Sequence, residues 1–250
     1  MRGTSGARHS VIGVLVLNGG DEFHPGNDEQ DRVLASAAGR GPAYVVPTAA
    51  ARQGPEEAVS HATEWFAQFG LHLHELPVLK RSDANSKEIA ETARAGGLFY
   101  LVGGDPGLVA QVLAGSRVWA AIFEAWLEGG ALAGSSAGAM ALCSHTLIRA
   151  GWPNRFNRRP AAALGVVAET AVLPHFDTFG HKWIESAKRE LPGTTLLGIA
   201  ERTAAVWRDG RWTAAGRGAV HVIRGEETRT FTSPAEIEGL PSPVRILPQE

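Results

Sequence analysis

The chain has 250 residues, 44% hydrophobic and 20% charged, with 24 Lys and Arg against 26 Asp and Glu. That length allows one or two domains with a sizeable core. A formal charge of −2 argues against the basic face of a nucleic-acid module, and the hydrophobic content argues against disorder. Cys143 is the only cysteine, which excludes an intrachain disulfide and a multi-cysteine zinc site and fits a reducing, cytoplasmic compartment.

Residues 1–9 read as a disordered lead-in. Val11–Leu17 (VIGVLVL) follows as a buried first strand. It is too short for a targeting segment, and Asn18-Gly19-Gly20-Asp21 follows in place of a small-residue cleavage site. No run approaches the roughly 18–20 apolar residues that span a bilayer, so no membrane partner is expected. Helical and strand-like runs then alternate: Asp28–Gly39, Ala43–Pro47, Pro55–Gly70, Leu71–Pro77, Ser86–Ala95 and Leu98–Val102. Leu108–Leu113 continues the series, Val118–Glu128 is helical, and Ala131–Ala133 leads through a Gly-rich turn into an apolar helix near Ala137–Ser144. Such alternation predicts an α/β fold, a three-layer sandwich with a mostly parallel central sheet covered by helices on both faces. Reactive residues then belong in the turns beyond the carboxyl ends of the strands.

Beyond residue 160 the run Ala171–Leu173, a helix near Gly180–Glu190 and Thr195–Ile199 keep the α/β pattern. Ala204–Trp207 and Trp212–Ala214 flank Asp209-Gly210, a favoured pair for a hairpin turn. Val220–Ile223 and Thr228–Phe231 resemble two further strands. The simplest account is a single domain over 10–232 with a C-terminal antiparallel extension and a proline-containing tail over 233–250.

The sharpest local signal is Gly134-Ser135-Ser136-Ala137-Gly138. It satisfies G-x-S-x-G between a short strand and a small-residue helix, the setting in which a serine hydroxyl stands exposed on a strained turn. A serine is a weak nucleophile and needs a base within hydrogen-bond reach, itself oriented by a third group. Nine histidines are available. His72 and His74 alternate with leucines on the wetter face of a strand, His145 ends the helix after the serine, and His221 lies inside an alternating strand. His175 alone follows an apolar run, Ala171–Pro174, at the point where a strand should end. Among the acids, Glu201 follows Leu196–Ala200 and falls at another strand end. It is the first choice to orient His175, and Asp177 is the second. Val102-Gly103-Gly104-Asp105 closes a strand upstream, and glycines there let backbone N–H groups approach a tetrahedral centre.

Together the motifs FYLVGGD (Phe99–Asp105), GSSAGAM (Gly134–Met140), LPHFD (Leu173–Asp177) and LGIAERTA (Leu197–Ala204) resemble peptidase family S51, that of aspartyl dipeptidase (peptidase E) and cyanophycinase. LNGGDEF (Leu17–Phe23) resembles the family's first glycine-rich turn. The resemblance implies a class I glutamine-amidotransferase-like fold and hydrolysis of a small peptide or isopeptide through an acyl-enzyme. In it Ser136 is the nucleophile, His175 the base and acid, and Glu201 the orienter, with the N–H groups of Gly104 and Ala137 facing the oxyanion. Neither a metal nor an organic cofactor is implied. Pro106 stands where the family often has Gln, and Pro174 precedes the histidine, which speaks against cleavage of β-aspartyl-arginine bonds. Asp105 and Asp177, in the turns where a substrate side chain would be held, are candidate substrate contacts. So is Arg155, which with Arg158 and Arg159 belongs to the loop GWPNRFNRRP; Arg forks suit carboxylates, although a solvated basic loop is the plainer reading. Trp152 and Phe156 in that loop are candidates to cover the site or to form a homodimer contact.

Three rival readings remain. An α/β-hydrolase esterase would need Ser136, Asp209 and His221. A glutamine amidotransferase would want a cysteine at the elbow, and Cys143 lies further along the helix. A non-catalytic relative would use the same cleft only to bind a small ligand.

Overall fold

Successive residues of the first strand, β1 (Leu15–Asn18), face different apolar clusters. Leu15 and Leu17 belong to one, Val14 and Val16 to the other, as the two-residue period of a strand buried on both faces requires. The computed structural model describes residues 13–39, 41–149 and 158–246. The lead-in over 1–9, Val11, Ile12 and Pro248 lie outside the described residues.

β1 sits inside a seven-stranded sheet with β2 (Ala43–Val46), β3 (Leu73–Glu75), β4 (Leu98–Leu101), β5 (Ala131–Ser135), β10 (Thr203–Arg208) and β11 (Arg211–Gly216). The order is β11-β10-β1-β5-β4-β2-β3; the first five strands in sequence run parallel and the β10–β11 hairpin adds antiparallel to β1. Helices α1 (Asp28–Ala37) and α2 (Pro55–Ala67) cover one face. On the other lie α3 (Arg81–Ala84), α4 (Lys87–Arg94), α5 (Pro106–Leu113), α6 (Arg117–Leu127) and α7 (Ala137–Leu142). Side-chain caps set several starts. Ser86, Asp105 and Ser116 accept N–H bonds from the first turns of α4, α5 and α6, each worth about 1 kcal/mol. Among the described residues, no single helix is long and apolar enough to cross a membrane.

The α/β class and the mostly parallel centre are as expected, but the later strands build a second sheet instead of a simple extension. It contains β6 (Cys143–Arg149), β7 (Arg158–Ala162), β8 (Val167–Leu173), β9 (Thr195–Ile199), β12 (Ala219–Arg224) and β13 (Glu227–Thr232), in the order β13-β12-β9-β8-β6-β7. A short helix, α8 (Ile184–Glu190), connects β8 to β9. Two expectations fail here. The helix after the serine stops at Leu142, so Cys143, Ser144 and His145 are strand residues; a small-residue apolar run fits either period. Arg158 and Arg159 lie on β7, paired with Arg149 and Ile148 of β6, and not in a loop. Residues 233–246 lie against the body, with Ile237 buried and the Val244 N–H bonded to Val166 O at 2.9 Å.

One buried acid stands out. Asp31, in the first turn of α1, is fully buried; its Oδ2 accepts the Trp65 indole N–H at 2.8 Å and its Oδ1 has no partner. Burial raises its pKa to about 8, against the opposing Trp65 bond and with help from the Glu22 and Asp28 charges. The folded chain therefore keeps a proton that the unfolded chain releases near pH 3.8. Stability from this group is full below about pH 4, declines as pH rises towards about 8, and is flat beyond. Asp31→Asn keeps an acceptor for Trp65 and removes the titration. The stability gap between variant and wild type, read from urea midpoints, should shift in the variant's favour from pH 5 to pH 8, by at most roughly 1.4 kcal/mol per pH unit. A gap independent of pH contradicts a neutral buried carboxyl.

Candidate active site

Three consecutive carbonyls at the end of β1 gather the turns that carry the candidate residues. Asn18 O accepts the Ser136 N–H at 3.0 Å, Gly19 O the His175 N–H at 2.7 Å and Gly20 O the Arg202 N–H at 2.9 Å. All three donors are non-glycine residues with positive φ: 47° at Ser136, 49° at His175 and 54° at Arg202. Such conformations cost about 1–3 kcal/mol each and persist only where the surroundings fix them. Asn18 fixes the turn in its own right, since its buried Oδ1 accepts the Gly20 N–H at 3.1 Å and its Nδ2 donates to Asn27. Gly20 has φ +117°, and a Cβ there would lie 2.4 Å from the His175 ring.

The side chains converge above this turn. Ser136 Oγ is 3.0 Å from His175 Nε2, and His175 Nδ1 is 2.8 Å from Glu201 Oε1. With the ring proton on Nδ1 facing the carboxylate, Nε2 is free to accept the serine proton. Asp177 does not meet the ring. Its Oδ1 accepts the Glu201 N–H at 3.0 Å, so it holds the acid's turn while Glu201 holds the imidazole. Phe179 stacks on His175, centroids 4.8 Å apart and planes at 20°.

Gly103 and Gly104 close the crevice from β4. A Cβ on Gly103 would stand 3.6 Å from Ser136 Cβ, and one on Gly104, at φ +138°, would be 2.2 Å from Ala49 O. Only glycine fits that second position. Ala137 opens α7, so its N–H has no intrahelical acceptor. Among the described residues neither the Gly104 nor the Ala137 N–H is bonded. Asp105 lines the same wall, but its Oδ1 is committed to the N–H groups of Gly107 and Leu108. Glu22, which sequence reasoning missed as a site residue, ties the two turns together: its Oε1 accepts the Gly103 N–H at 2.9 Å and its Oε2 the Ser135 O–H at 2.8 Å. Its only signal was its place in LNGGDEF.

The rival groups are elsewhere. Burial pushes the Cys143 thiol well up, so it is no thiolate. His221 packs on Phe176, centroids 4.6 Å apart, and its Nδ1 is 3.0 Å from Thr230 Oγ1; burial lowers its pKa. Asp209 is exposed in a hairpin turn beside Arg208, so the esterase trio is not assembled. Arg155, Trp152 and Phe156 lie outside the described residues. Among the described residues, no three His, Cys, Asp or Glu side chains group as a metal site. A cleft of about 330 Å³ opens between Gln53, Gly104, Asp105, Ile148, Arg149 and Arg158, and another of about 260 Å³, which shares Gln53 and Gly104, is lined by Ala50, Glu57, His61 and Gly103. A recess of about 400 Å³ beside Phe23, His61 and Trp65 carries no nucleophile.

The sequence profile of peptidase family S51 matches residues 15–214. The chain belongs to peptidase family S51. The match spans every residue of the Ser136–His175–Glu201 convergence. A solved peptidase from an acI-B1 Actinobacterium is similar to this S51 chain at 33% identity and TM-score 0.79, covering 91% of this chain and 97% of its own. A candidate peptidase E from Listeria monocytogenes EGD-e shares the fold at 18% identity and TM-score 0.55, with 88% and 98% covered. No curated protein matches the chain.

Strain at Ser136, with φ 47° and ψ −107°, generates a stability prediction. Ser136→Gly and Ser136→Ala both lose the hydroxyl, but only glycine relaxes the backbone. The glycine variant should be the more stable by about 1 kcal/mol or more in denaturant midpoint. Equal stabilities contradict a strained elbow.

Proposed function

We propose that this S51 chain is a serine peptidase that hydrolyses small peptides or isopeptides through an acyl-enzyme. The observation that carries the reading is the unbroken hydrogen-bonded chain from Ser136 Oγ through both His175 nitrogens to Glu201. Ser136 Oγ attacks the scissile carbonyl as His175 Nε2 takes its proton. Glu201 keeps the imidazole in the required tautomer and stabilises the imidazolium. Negative charge developing on the carbonyl oxygen is met by the N–H groups of Gly104 and Ala137, each such donor being worth about 10²–10³ in turnover. His175 then gives its proton to the departing amine. Water, deprotonated by the same ring, releases the acyl group and restores the serine.

Family membership supports peptide-bond chemistry. The modest volumes beside Gly104, about 330 and 260 Å³, favour substrates of a few residues, as in a dipeptidase-like exopeptidase.

A panel of dipeptides and isopeptides, read by product mass with Ser136→Ala as the blank, identifies the bond that is cleaved. On the best substrate, Glu201→Gln should fold normally and lose about 10²–10⁴ in kcat, because it keeps shape but fails to stabilise the imidazolium. Unchanged turnover in that variant removes Glu201 from the mechanism.

A further inference from the structure

Glu22 stands between two residues in unfavourable backbone. Asp21 has φ 55° and Phe23 has φ 61°, a region that residues with a side chain rarely enter. Neighbours fix both. Arg202 Nε–H donates to the Asp21 carboxylate, and Asn27 Nδ2 donates to the Asp21 carbonyl at 2.8 Å. The Phe23 ring packs on Tyr100, centroids 5.0 Å apart. Strain fixed in this way clusters at functional sites, and the side chain it aims here is the Glu22 carboxylate.

The β4–β5 ladder ends at the Leu101–Gly134 pair, short of the Gly103-Gly104 turn and the Ser135-Ser136 elbow. Glu22 bridges the two beyond that point, accepting the Gly103 N–H on Oε1 at 2.9 Å and the Ser135 O–H on Oε2 at 2.8 Å. Among the described residues no cation pairs with this carboxylate. On the far side of the turn the Asp105 N–H is bonded to Ala49 O at 2.9 Å. Both amides flanking Gly104 are thus tied down, and the Gly104 N–H between them keeps a fixed direction. A carboxylate this close to a site of developing negative charge opposes that charge. Its value therefore lies in the two donors it accepts and not in its charge.

We infer that Glu22 is a positioning residue, which holds the Gly104 N–H in register with the serine elbow so that the two oxyanion donors keep their spacing. The inference rests on the peptidase reading, which assigns the Gly104 and Ala137 N–H groups to the oxyanion. Glu22 acts through Gly103 and Ser135 and touches no reacting atom.

Phosphonylation of Ser136 by an excess of a fluorophosphonate tests this role. Ser136 Oγ displaces fluoride at phosphorus while the phosphoryl oxygen takes the oxyanion position. The rate constant reads geometry, and the final extent of labelling reads the folded fraction. Glu22→Ala should label to full extent with a rate constant about a hundredfold below the wild type, the cost of a misplacement of about 1 Å. Glu22→Gln keeps an acceptor for Gly103 and offers a donor to the Ser135 oxygen, so it should stay within about tenfold of the wild type. Ser135→Ala cuts the same bridge from the other end and should slow labelling about tenfold, one hydrogen bond's worth. An unchanged rate constant in Glu22→Ala, or a reduced extent at an unchanged rate constant, overturns the role. So does slowing beyond about tenfold in Glu22→Gln. Should Glu22→Ala not fold, an unchanged rate constant in Ser135→Ala overturns it equally. Peptide cleavage keeps the two ideas apart. Labelling that depends on Glu22 without turnover of any peptide sinks the peptidase reading alone, whereas turnover indifferent to Glu22 sinks the positioning role alone.

Discussion

Three carbonyl oxygens in a row, those of Asn18, Gly19 and Gly20, hold the site together. Each accepts the N–H of a residue forced into left-handed backbone, Ser136, His175 and Arg202. A net hydrogen bond contributes about 1 kcal/mol, while each such conformation costs about 1–3 kcal/mol, so the turn offsets only part of the strain. Packing must supply the remainder, and β1 is buried on both faces among apolar neighbours. The missing Cβ of Gly20 leaves room for the imidazole directly above the strand end. A rigid strand therefore carries the registration of side chains that are far apart in the chain.

Much of this arrangement was legible in the sequence because strand ends are legible. Ser136, His175 and Glu201 each follow a short apolar run, and in a parallel α/β sheet such runs end on one side. The choice between Glu201 and Asp177 was not legible, since it depends on which carboxylate turns inward; Asp177 instead caps the Glu201 turn. Glu22 was missed because its partners, Gly103 and Ser135, are distant in sequence and no spacing rule joins them. The second sheet was obscured for a different reason. Residues 137–144 are small and apolar, compatible with either period, and the β6–β7 pair carries enough arginine to pass for a solvated loop.

Charge placement around the site is uneven. On the α1 side lies a buried acid, Asp31, whose burial favours its neutral form. On the β6–β7 side stand two guanidinium groups with no described carboxylate partner. A row of contacts runs from His175 through Phe179 and Trp183 to Arg158. The turn at the end of β1 gathers the candidate catalytic residues, and the β6–β7 pair lines the cleft beside Gly104.

The central claim is that the Ser136 hydroxyl is activated by His175. A fluorophosphonate probe tests it most directly, with the adduct located by peptide mass mapping. The account predicts a single adduct on Ser136, formed in the wild type and slowed at least about a hundredfold in His175→Ala, in line with the usual contribution of a general base. Modification at another residue, or undiminished labelling of Ser136 in His175→Ala, would contradict it.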